Sequence, residues 1–287
     1  MTDSTDPSPT AGSIPRVEAR GTSMPQLGLG TWEVEGDEAR EITEVALEAG
    51  YRHLDTAQLY GNEEEVGRGL EASGLDPREV FVTTKVWPDN FPRERFRRSV
   101  EESLEKLGLE QVDLLLLHWP RFREATLEET VQELARVHSD GLARHVGVSN
   151  FNIELLDRAL AAAQAPLVTN QVEYHPFLDQ SKLLSAVEER EMILTAYSPL
   201  AHGRVPGNDT LRQIGEKHGK SAVQVALRWL VQQGTVVIPR TSDPEHCRLN
   251  MEIFDFELGT GEMERIHDMA RPDGRVLSPR GLAPEWD

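Results

Sequence analysis

The sequence VDLLLLHWP, residues Val112–Pro120, contains a nearly continuous apolar run that ends abruptly in polar and aromatic residues. The run Val112–Leu117 has the length of a β-strand, and its lack of apolar–polar alternation indicates that both faces are covered. Strands of this kind occur in parallel sheets packed with helices. The polar residue that follows the run, His118, therefore lies where a buried strand ends and a loop begins.

Seven further short apolar runs occur along the chain, and amphipathic stretches with helical periodicity separate them. Eight strand–helix units fit a closed (β/α)8 TIM barrel of the α/β class better than an open sheet. The other predicted strands are Leu27–Leu29, Arg52–Leu54, Val80–Thr83, His145–Val148, Leu167–Asn170, Met192–Thr195 and Val236–Ile238. The predicted helices begin near Asp37, Asn62, Pro92, Thr126, Asn152, Asp179, Asn208 and Asp243.

The remaining segments extend this barrel at both ends. Residues 1–13 are rich in Ser, Thr, Pro and Asp, which predicts a disordered leader. Residues 14–287 are then expected to form one barrel domain, with a β-hairpin over residues 14–27 before the first barrel strand. Two helical stretches, about Ser221–Gln233 and about Gly259–Met269, are left over and are predicted to be extra helices.

Charge and composition exclude several classes of partner. The formal charge of −19 and the pI near 4.9 oppose binding to nucleic acids or anionic membranes. No apolar run is long enough to span a bilayer, and residues 1–13 lack the features of a signal peptide, so a cytoplasmic location is expected. Only five of the 30 basic residues are lysine, and such an acidic, lysine-poor surface suggests a salt-rich cytoplasm of the kind found in halophilic organisms. The single cysteine, Cys247, excludes an internal disulfide and is expected to be buried.

Two glycine patterns resemble a dinucleotide-binding loop but do not satisfy its requirements. A Rossmann loop needs G-x-G-x-x-G directly after the first strand, because the glycines let the pyrophosphate approach the backbone. The segment Gly28–Glu33 has glutamate in place of the third glycine, and Gly67–Ala72 lies within a predicted helix. These departures favour the barrel over the Rossmann fold.

In a barrel of this kind the chemistry lies at the carboxyl ends of the strands, so the residues there are the candidates for catalysis. Asp55 and Tyr60 follow the second strand, Lys85 follows the third and His118 the fourth. A nearby ammonium group favours the phenolate and is expected to lower the pKa of Tyr60 towards a range useful for general acid catalysis. Asp55 would pair with Lys85, while His118 would orient a carbonyl oxygen beside Tyr60.

Each of these residues taken alone has a simpler structural explanation. A single Asp, Lys or His after a strand is more often part of a salt bridge or a capped loop. Their coincidence at three consecutive strand ends favours a catalytic site.

The segments around these residues resemble the signatures of the aldo-keto reductase family. The resemblance rests on Gly50–Ala57 with Tyr60–Glu63, on Lys85, on Leu104–Pro120 and on Ile238–Thr241. It extends from about residue 14 to the last residue, and the members that the sequence resembles are prokaryotic diketogluconate reductases and aldehyde reductases. It implies that Asp55, Tyr60, Lys85 and His118 form the family's catalytic tetrad.

The same resemblance implies a nicotinamide dinucleotide lying across the barrel mouth, since no side chain can supply hydride. Tyr197 matches the position on which the nicotinamide ring stacks, and Ser149, Asn150 and Gln171 offer groups that suit its carboxamide. The full set of expected cofactor-binding residues is Gly30, Thr31, Trp32, Ser149, Asn150, Gln171, Tyr197, Ser198, Leu200, Pro239, Arg240, Thr241, Ser242, His246 and Asn250.

The segment after the eighth strand suggests which dinucleotide is used. Arg240 precedes a helix whose start, Ser242–Glu245, has capping-box spacing, and this combination forms an anion site suited to a 2′-phosphate. The family more often has arginine where His246 stands. NADPH is therefore the expected cofactor, and His246 leaves NADH as an alternative.

The expected substrate is a small carbonyl compound, because Trp32, Trp87 and Trp119 follow three strands and form walls of a partly apolar pocket. The short segment after Trp119 predicts an open pocket. Sugar-derived keto acids, methylglyoxal-like aldehydes and aromatic aldehydes all remain candidates, and nothing in the sequence demands an oligomer, so a monomer is expected.

Two other functions compete with this one. A metal-dependent barrel hydrolase would need paired histidine ligands, whereas His53-Leu54-Asp55 is the nearest pattern, so no metal is expected. A non-catalytic regulatory protein that binds a nicotinamide dinucleotide on the same fold is the second alternative. The complete tetrad favours the enzyme.

Overall fold

The strands and helices follow one another in the order that the sequence predicts. The computed structural model describes residues 14–287, which form ten β-strands and ten α-helices, and the predicted leader at residues 1–13 lies outside them. The strands are β1 (Arg16–Ala19), β2 (Thr22–Pro25), β3 (Leu29–Gly30), β4 (His53–Asp55), β5 (Phe81–Val86), β6 (Val112–Leu117), β7 (Ala143–Ser149), β8 (Leu167–Glu173), β9 (Ile193–Tyr197) and β10 (Val236–Val237). The helices are α1 (Gly36–Glu48), α2 (Glu63–Ala72), α3 (Arg93–Leu107), α4 (Leu127–Ser139), α5 (Ile153–Ala162), α6 (Ser181–Glu189), α7 (Asp209–His218), α8 (Ala222–Val231), α9 (Pro244–Met251) and α10 (Thr260–His267).

Strands β3 to β10 form one parallel sheet in which each strand pairs with the next strand along the chain. Leu27 forms a parallel bridge with Val237, and Gly30 forms one with Arg240, so the first and last strands meet. The sheet is therefore a closed (β/α)8 barrel, as predicted. The amino-terminal hairpin and the two extra helices, α8 and α10, are also confirmed.

Several helices begin at the capping residues that the sequence indicates. The Thr126 side chain accepts a hydrogen bond from the backbone N–H of Glu129, and the Glu129 carboxylate accepts one from the backbone N–H of Thr126. The Asn152 and Asn208 side chains cap α5 and α7 by accepting hydrogen bonds from the backbone N–H groups of Leu155 and Leu211. These caps satisfy backbone N–H groups that have no partner within the helix.

The hairpin β1–β2 covers the amino-terminal end of the barrel. The side chain of Met24 is fully buried there among residues at the starts of the barrel strands, and its sulfur accepts a hydrogen bond from Thr195 Oγ1 at 3.8 Å. The other members of this apolar cluster are Phe81, Leu114, Leu116, Val168, Ile193 and Val236. This end of the barrel is packed, and the cavity described below lies at the opposite end.

Four strands are longer than predicted, and two of them are β5, which continues to Val86, and β7, which spans Ala143–Ser149. The sixth barrel strand, β8, continues to Glu173, three residues beyond its predicted end, and β9 continues through Tyr197. The prediction ended β8 at the first polar residues, but these residues are buried and hydrogen-bonded inside the protein. Within residues 14–287, no helix is both long and apolar enough to cross a membrane.

The second glycine pattern, Gly67-Arg68-Gly69, serves helix packing. A Cβ atom at Gly67 would lie 2.6 Å from the backbone oxygen of Leu107 in α3, and one at Gly69 would lie 2.6 Å from the backbone oxygen of Arg40 in α1. Helix α2 can therefore approach both neighbours closely only because these residues lack side chains.

We predict that Gly67→Ala lowers the free energy of unfolding by about 1–3 kcal/mol, although alanine is the better helix former, because the added methyl group collides with backbone. Gly261→Ala in α10 is the matched control, since a Cβ atom there meets nothing within 4 Å. Urea unfolding followed by circular dichroism measures both. Equal stability of the two variants would contradict the packing role of Gly67.

Candidate active site

A cavity of about 590 Å³ opens at the carboxyl-terminal end of the barrel strands. Loops after seven of the eight barrel strands and a segment near the end of the chain contribute to it. The predicted site residues that line it are Gly30, Thr31, Trp32, Asp55, Tyr60, Trp87, His118, Trp119, Ser149, Asn150, Gln171, Tyr197, Ser198, Leu200 and Arg240. Most of the site predicted from the strand ends therefore lies around one cavity.

Lys85 lies fully buried beneath the floor of the cavity, on β5. Its Nζ donates hydrogen bonds to Asp55 Oδ1 at 2.5 Å and to the backbone oxygen of Thr56 at 2.8 Å, and it lies 3.3 Å from the hydroxyl of Tyr60. Burial disfavours the charged amine, but the attraction of Asp55 and the contact with Tyr60 outweigh it and raise the pKa of Lys85. Lys85 is therefore a cation at neutral pH.

Tyr60 is held in position by a short helical turn, Gln58–Tyr60, that follows β4. The turn ends at Gly61, whose φ of 67° suits glycine, and the next residue, Asn62, donates its side-chain amide to the backbone oxygens of Thr31 and Val34 at 2.8 Å each. These bonds tie the turn to the loop after β3. The turn thereby places the Tyr60 hydroxyl at the floor of the cavity.

The pKa of Tyr60 differs from the expectation drawn from the sequence. Burial is the largest influence and raises the pKa of the phenol, and the nearby Lys85 lowers it only in part, so that the net change is upward. The expectation of a lowered pKa was wrong because it counted the ammonium group and not the burial. Tyr60 is therefore protonated at neutral pH and can donate a proton.

His118 lies beside Tyr60 at the end of β6. Its ring packs edge-on against the rings of Tyr60 and Trp87, with centroid distances of 5.7 Å and 5.4 Å. Burial and the charge of Lys85 lower the pKa of His118 well below its ordinary value, so the imidazole is neutral. Its Nδ1 atom is buried and has no hydrogen-bond partner among the described residues.

The second oxygen of Asp55 is held from β8. Gln171 donates its side-chain amide to Asp55 Oδ2 at 2.7 Å, and Ser149 Oγ donates to the backbone oxygen of Gln171 at 2.8 Å. Each carboxylate oxygen of Asp55 thus accepts a hydrogen bond from a different strand. Gln171, predicted as a cofactor-binding residue, therefore also holds the Asp55 carboxylate in place by a hydrogen bond.

Asn150 connects His118 to Tyr197. Its Nδ2 donates to the backbone oxygen of His118 at 2.9 Å, and its Oδ1 accepts from the hydroxyl of Tyr197 at 2.7 Å. Burial raises the pKa of Tyr197, and this phenol therefore remains a donor. The contact fixes the aromatic ring of Tyr197 at the cavity wall.

The segment after β10 lies largely outside the cavity lining. Among the predicted cofactor residues there, Arg240 lines the cavity, whereas Pro239, Thr241, Ser242, His246 and Asn250 do not. The guanidinium of Arg240 is exposed and donates hydrogen bonds to the backbone oxygens of Trp32 and Glu33. Arg240 therefore joins the loop after β3 to the start of α9 at the rim.

The cap of α9 differs from the prediction. The helix begins at Pro244, and Asp243 rather than Ser242 is the capping residue, accepting a hydrogen bond from the backbone N–H of Glu245 at 2.8 Å. Proline at the first helical position shifts the cap by one residue relative to the predicted capping box. His246 is exposed and lies 3.9 Å from the Asp243 carboxylate. An anion bound here would be attracted by Arg240 and repelled by the carboxylates of Asp243 and Glu245.

One part of the cavity, which comes from the end of the chain, was not predicted from the sequence. We call residues 275–287 the C-terminal wall, since Leu277, Pro279 and Leu282 line the cavity. These residues follow the last helix and show no periodicity that could place them in the fold. This wall is a boundary of the cavity that the expectation of an open pocket, drawn only from the short loop after Trp119, did not include.

The loop after β9 also contributes residues that were not predicted. His202 lines the cavity and packs against Trp32, with ring centroids 5.5 Å apart. Ser198, Ala201 and His202 all have positive φ, between 47° and 50°. Such strained backbone conformations are frequent at functional sites, where surrounding contacts maintain them.

His53, which belongs to the pattern nearest to a metal-binding motif, is a structural residue. Its ring nitrogens contact the backbone oxygen of Pro25 at 3.4 Å and Thr83 Oγ1 at 3.2 Å. Within residues 14–287, no group of three or more His, Cys, Asp or Glu side chains is placed to hold a metal ion.

The cavity suits a nicotinamide dinucleotide. Its volume of about 590 Å³ lies within the range typical of ligand sites. Amide and hydroxyl groups of Ser149, Asn150 and Gln171 line it together with the ring of Tyr197, and the cation of Arg240 lies at the exposed rim. This combination of amides, an aromatic face and a cation matches a carboxamide, a planar ring and a phosphate.

The chain matches the sequence profile of the Aldo/keto reductase family over residues 26–271 and belongs to this family. A curated relative, the glyoxal reductase of Bacillus subtilis (strain 168), is 42% identical over 257 residues, which cover 89% of this chain and 92% of the relative.

Solved structures agree with this assignment. A crystal structure of a proposed 2,5-diketo-D-gluconic acid reductase B superposes with a TM-score of 0.94 and 46% identity, covering 96% of this chain and 98% of the other. A Bombyx mori aldo-keto reductase in complex with NADP superposes with a TM-score of 0.87 and 31% identity, covering 94% and 96% of the two chains. The family relationship supports carbonyl reduction as the chemistry of this cavity.

We predict that His53 makes the protein less stable in mild acid. Burial lowers the pKa of His53 from 6.5 to about 4, so between these pH values the unfolded chain binds a proton that the folded protein excludes. The contribution of the neutral His53 to the free energy of unfolding is complete above pH 6.5 and is lost as the pH falls towards 4. In His53→Gln, the loss of unfolding free energy from pH 7 to pH 5 should be smaller by about 1–2 kcal/mol.

Urea unfolding at the two pH values measures this difference, with His267→Gln on the exposed side of α10 as the matched control. An identical pH dependence for wild type and His53→Gln would contradict the role assigned to this histidine.

Proposed function

We propose that this protein is an NADPH-dependent reductase that converts small aldehydes or ketones to alcohols, with Tyr60 as the proton donor. The observation that carries the proposal is the position of the Tyr60 hydroxyl, 3.3 Å from the buried Lys85 ammonium at the floor of a 590 Å³ cavity. The neutral ring of His118 lies beside it. A donor, a cation and a hydrogen-bonding ring are the groups that reduction of a carbonyl requires.

The proposed roles follow from the protonation states of these groups. A reduced nicotinamide bound in the cavity supplies the hydride, which no side chain can supply. Tyr60 gives its proton to the carbonyl oxygen as negative charge develops there. Lys85 stabilises the phenolate that remains, and Asp55 holds Lys85 in place. His118 donates a hydrogen bond that orients the carbonyl oxygen towards Tyr60.

The preference for NADPH is proposed from the cations near the start of α9. Arg240 offers a guanidinium at the rim, but the carboxylates of Asp243 and Glu245 lie close to the helix start, and His246 stands where the family more often has arginine. We therefore propose a modest preference for NADPH over NADH. The NADP complex of the Bombyx mori relative supports the choice of cofactor class.

The proposed substrate is a small carbonyl compound with an uncharged substituent. Trp87 and Trp119 line the cavity together with the apolar residues Leu277 and Leu282 of the C-terminal wall. The glyoxal reductase name of the Bacillus subtilis relative supports a small aldehyde. A panel of aldehydes and ketones, assayed with each cofactor by loss of absorbance at the nicotinamide band, tests the proposal. Cofactor binding without reduction of any carbonyl would favour the non-catalytic alternative.

We predict that Tyr60→Phe lowers kcat by a factor on the order of 10² to 10⁴ and leaves NADPH binding nearly intact, since it removes only the proton donor. Steady-state kinetics and fluorescence titration measure the two effects. Tyr174→Phe is the matched control, because Tyr174 is buried and donates its hydroxyl to Gln233, away from the cavity. Near-normal turnover of Tyr60→Phe would show that another group donates the proton.

We predict that His246→Arg tightens NADPH binding about tenfold and changes NADH binding little, because a charge-assisted contact with phosphate is gained. Arg240→Ala should weaken NADPH binding selectively. Titration by quenching of tryptophan fluorescence measures both affinities, and His267→Arg on α10 controls for the added charge. Equal affinity of the wild-type protein for NADPH and NADH would refute the proposed preference.

A further inference from the structure

The C-terminal wall is attached to the barrel through a buried carboxylate, that of Glu173 at the end of β8. Glu173 is completely inaccessible to solvent. Its Oε1 accepts a hydrogen bond from the backbone N–H of Val276 at 2.6 Å, and its Oε2 accepts one from the backbone N–H of Leu277 at 2.8 Å. One side chain of the barrel thus holds two successive backbone groups of the wall.

A histidine that follows the end of β8, His175, also forms a hydrogen bond with this carboxylate. His175 Nδ1 accepts a hydrogen bond from the backbone N–H of Phe177 at 3.3 Å, which leaves the proton on Nε2. His175 Nε2 therefore donates to Glu173 Oε1 at 2.9 Å. Arg275, the first residue of the wall, is close enough for the charge of Glu173 to oppose the effect of burial on its pKa, and its guanidinium lies 3.6 Å from the ring centroid of Trp286.

The positions of these groups connect the wall to the cavity. Leu277 is bonded to Glu173 through its backbone and lines the cavity with its side chain. Glu173 pairs in register with Tyr197, and Gln171, two residues earlier on β8, holds Asp55. The distance between the wall and the proposed catalytic groups is therefore set along a single strand.

A second attachment lies at the far end of the wall. The Asn152 side chain donates to the backbone oxygen of Glu285 at 2.8 Å, and the backbone N–H of Ile153 donates to the Asp287 carboxylate. These contacts are at the exposed start of α5, whereas Glu173 is buried. The loop between the two attachments contains Pro279 and Leu282, which face the cavity.

We propose that Glu173 is a positioning residue: by holding the backbone of Val276 and Leu277, it sets the C-terminal wall and thereby the fit of the substrate's apolar group. This inference rests on the proposed function and goes beyond it, because Glu173 lines no part of the cavity and touches neither the proposed proton donor nor its partners. Loss of the carboxylate should loosen the wall and leave the floor of the cavity unchanged.

The test compares Glu173→Gln with wild type by hydrogen exchange and by kinetics. Glutamine keeps the size of the side chain but places an amide N–H against a backbone N–H, so amide exchange at Val276 and Leu277 should rise about tenfold or more. The KM for benzaldehyde should rise several-fold, while the KM for propanal, the Kd for NADPH and kcat should change by less than about twofold. Glu173→Asp keeps the charge but has a shorter side chain. Its amide exchange at Val276 and Leu277 and its KM for benzaldehyde should lie between those of wild type and Glu173→Gln.

Two control variants distinguish loss of the wall's attachment from loss of a carboxylate elsewhere and from loss of a cavity-lining side chain. Glu188→Gln on the exposed side of α6 should behave as wild type. Leu282→Ala should raise the KM for benzaldehyde, because it removes an apolar side chain that lines the cavity. It should not change amide exchange at Val276 and Leu277, because the hydrogen bonds from their backbone to Glu173 remain.

The inference is overturned if exchange in the wall is unchanged in Glu173→Gln, or if both aldehydes and NADPH are affected alike. If Glu173→Gln does not fold, Glu173→Asp decides by the same criteria. Failure of wild type to reduce either aldehyde would refute the proposed function, whereas the exchange measurement would still test the attachment.

Discussion

The buried ion pair between Lys85 and Asp55 is the interaction on which the rest of the site depends. Both side chains are almost completely inaccessible to solvent, and removing two charges from water is costly unless all their hydrogen-bonding groups find partners. Lys85 reaches Asp55, the backbone of Thr56 and the hydroxyl of Tyr60, while Gln171 holds the second oxygen of Asp55. These partners come from β4, β5, β8 and the turn after β4, so the pair is satisfied only when the barrel is closed.

Burial and the same ion pair together set the protonation states around the cavity floor. Asp55 offsets the effect of burial and raises the pKa of Lys85, burial raises the pKa of Tyr60 more than Lys85 lowers it, and burial together with the charge of Lys85 lowers the pKa of His118. At neutral pH the floor therefore holds a cation, a protonated phenol and a neutral imidazole. This combination suits the transfer of a proton to a carbonyl oxygen, and the proposed function rests on it.

The barrel and the four residues of its floor could be predicted from the sequence because both depend on local patterns. Short apolar runs mark the strands, and the polar residues that follow them must meet at one end of the barrel. Three features could not be predicted in this way: the C-terminal wall, the length of β8 and the net pKa of Tyr60. Each depends on contacts between residues far apart in the chain, such as Glu173 with Leu277, or on the degree of burial. The cap of α9 at Asp243 differed by one residue, because Pro244 occupies the first helical position.

The most direct test of this account is the free energy of unfolding in a double-mutant cycle of Lys85→Met and Asp55→Asn. Each single substitution leaves the other charge buried without its main partner and should reduce the free energy of unfolding by about 3–5 kcal/mol. The double substitution leaves no buried charge, so its loss should be well below the sum of the two single losses. Additive losses would contradict the claim that this ion pair organises the site.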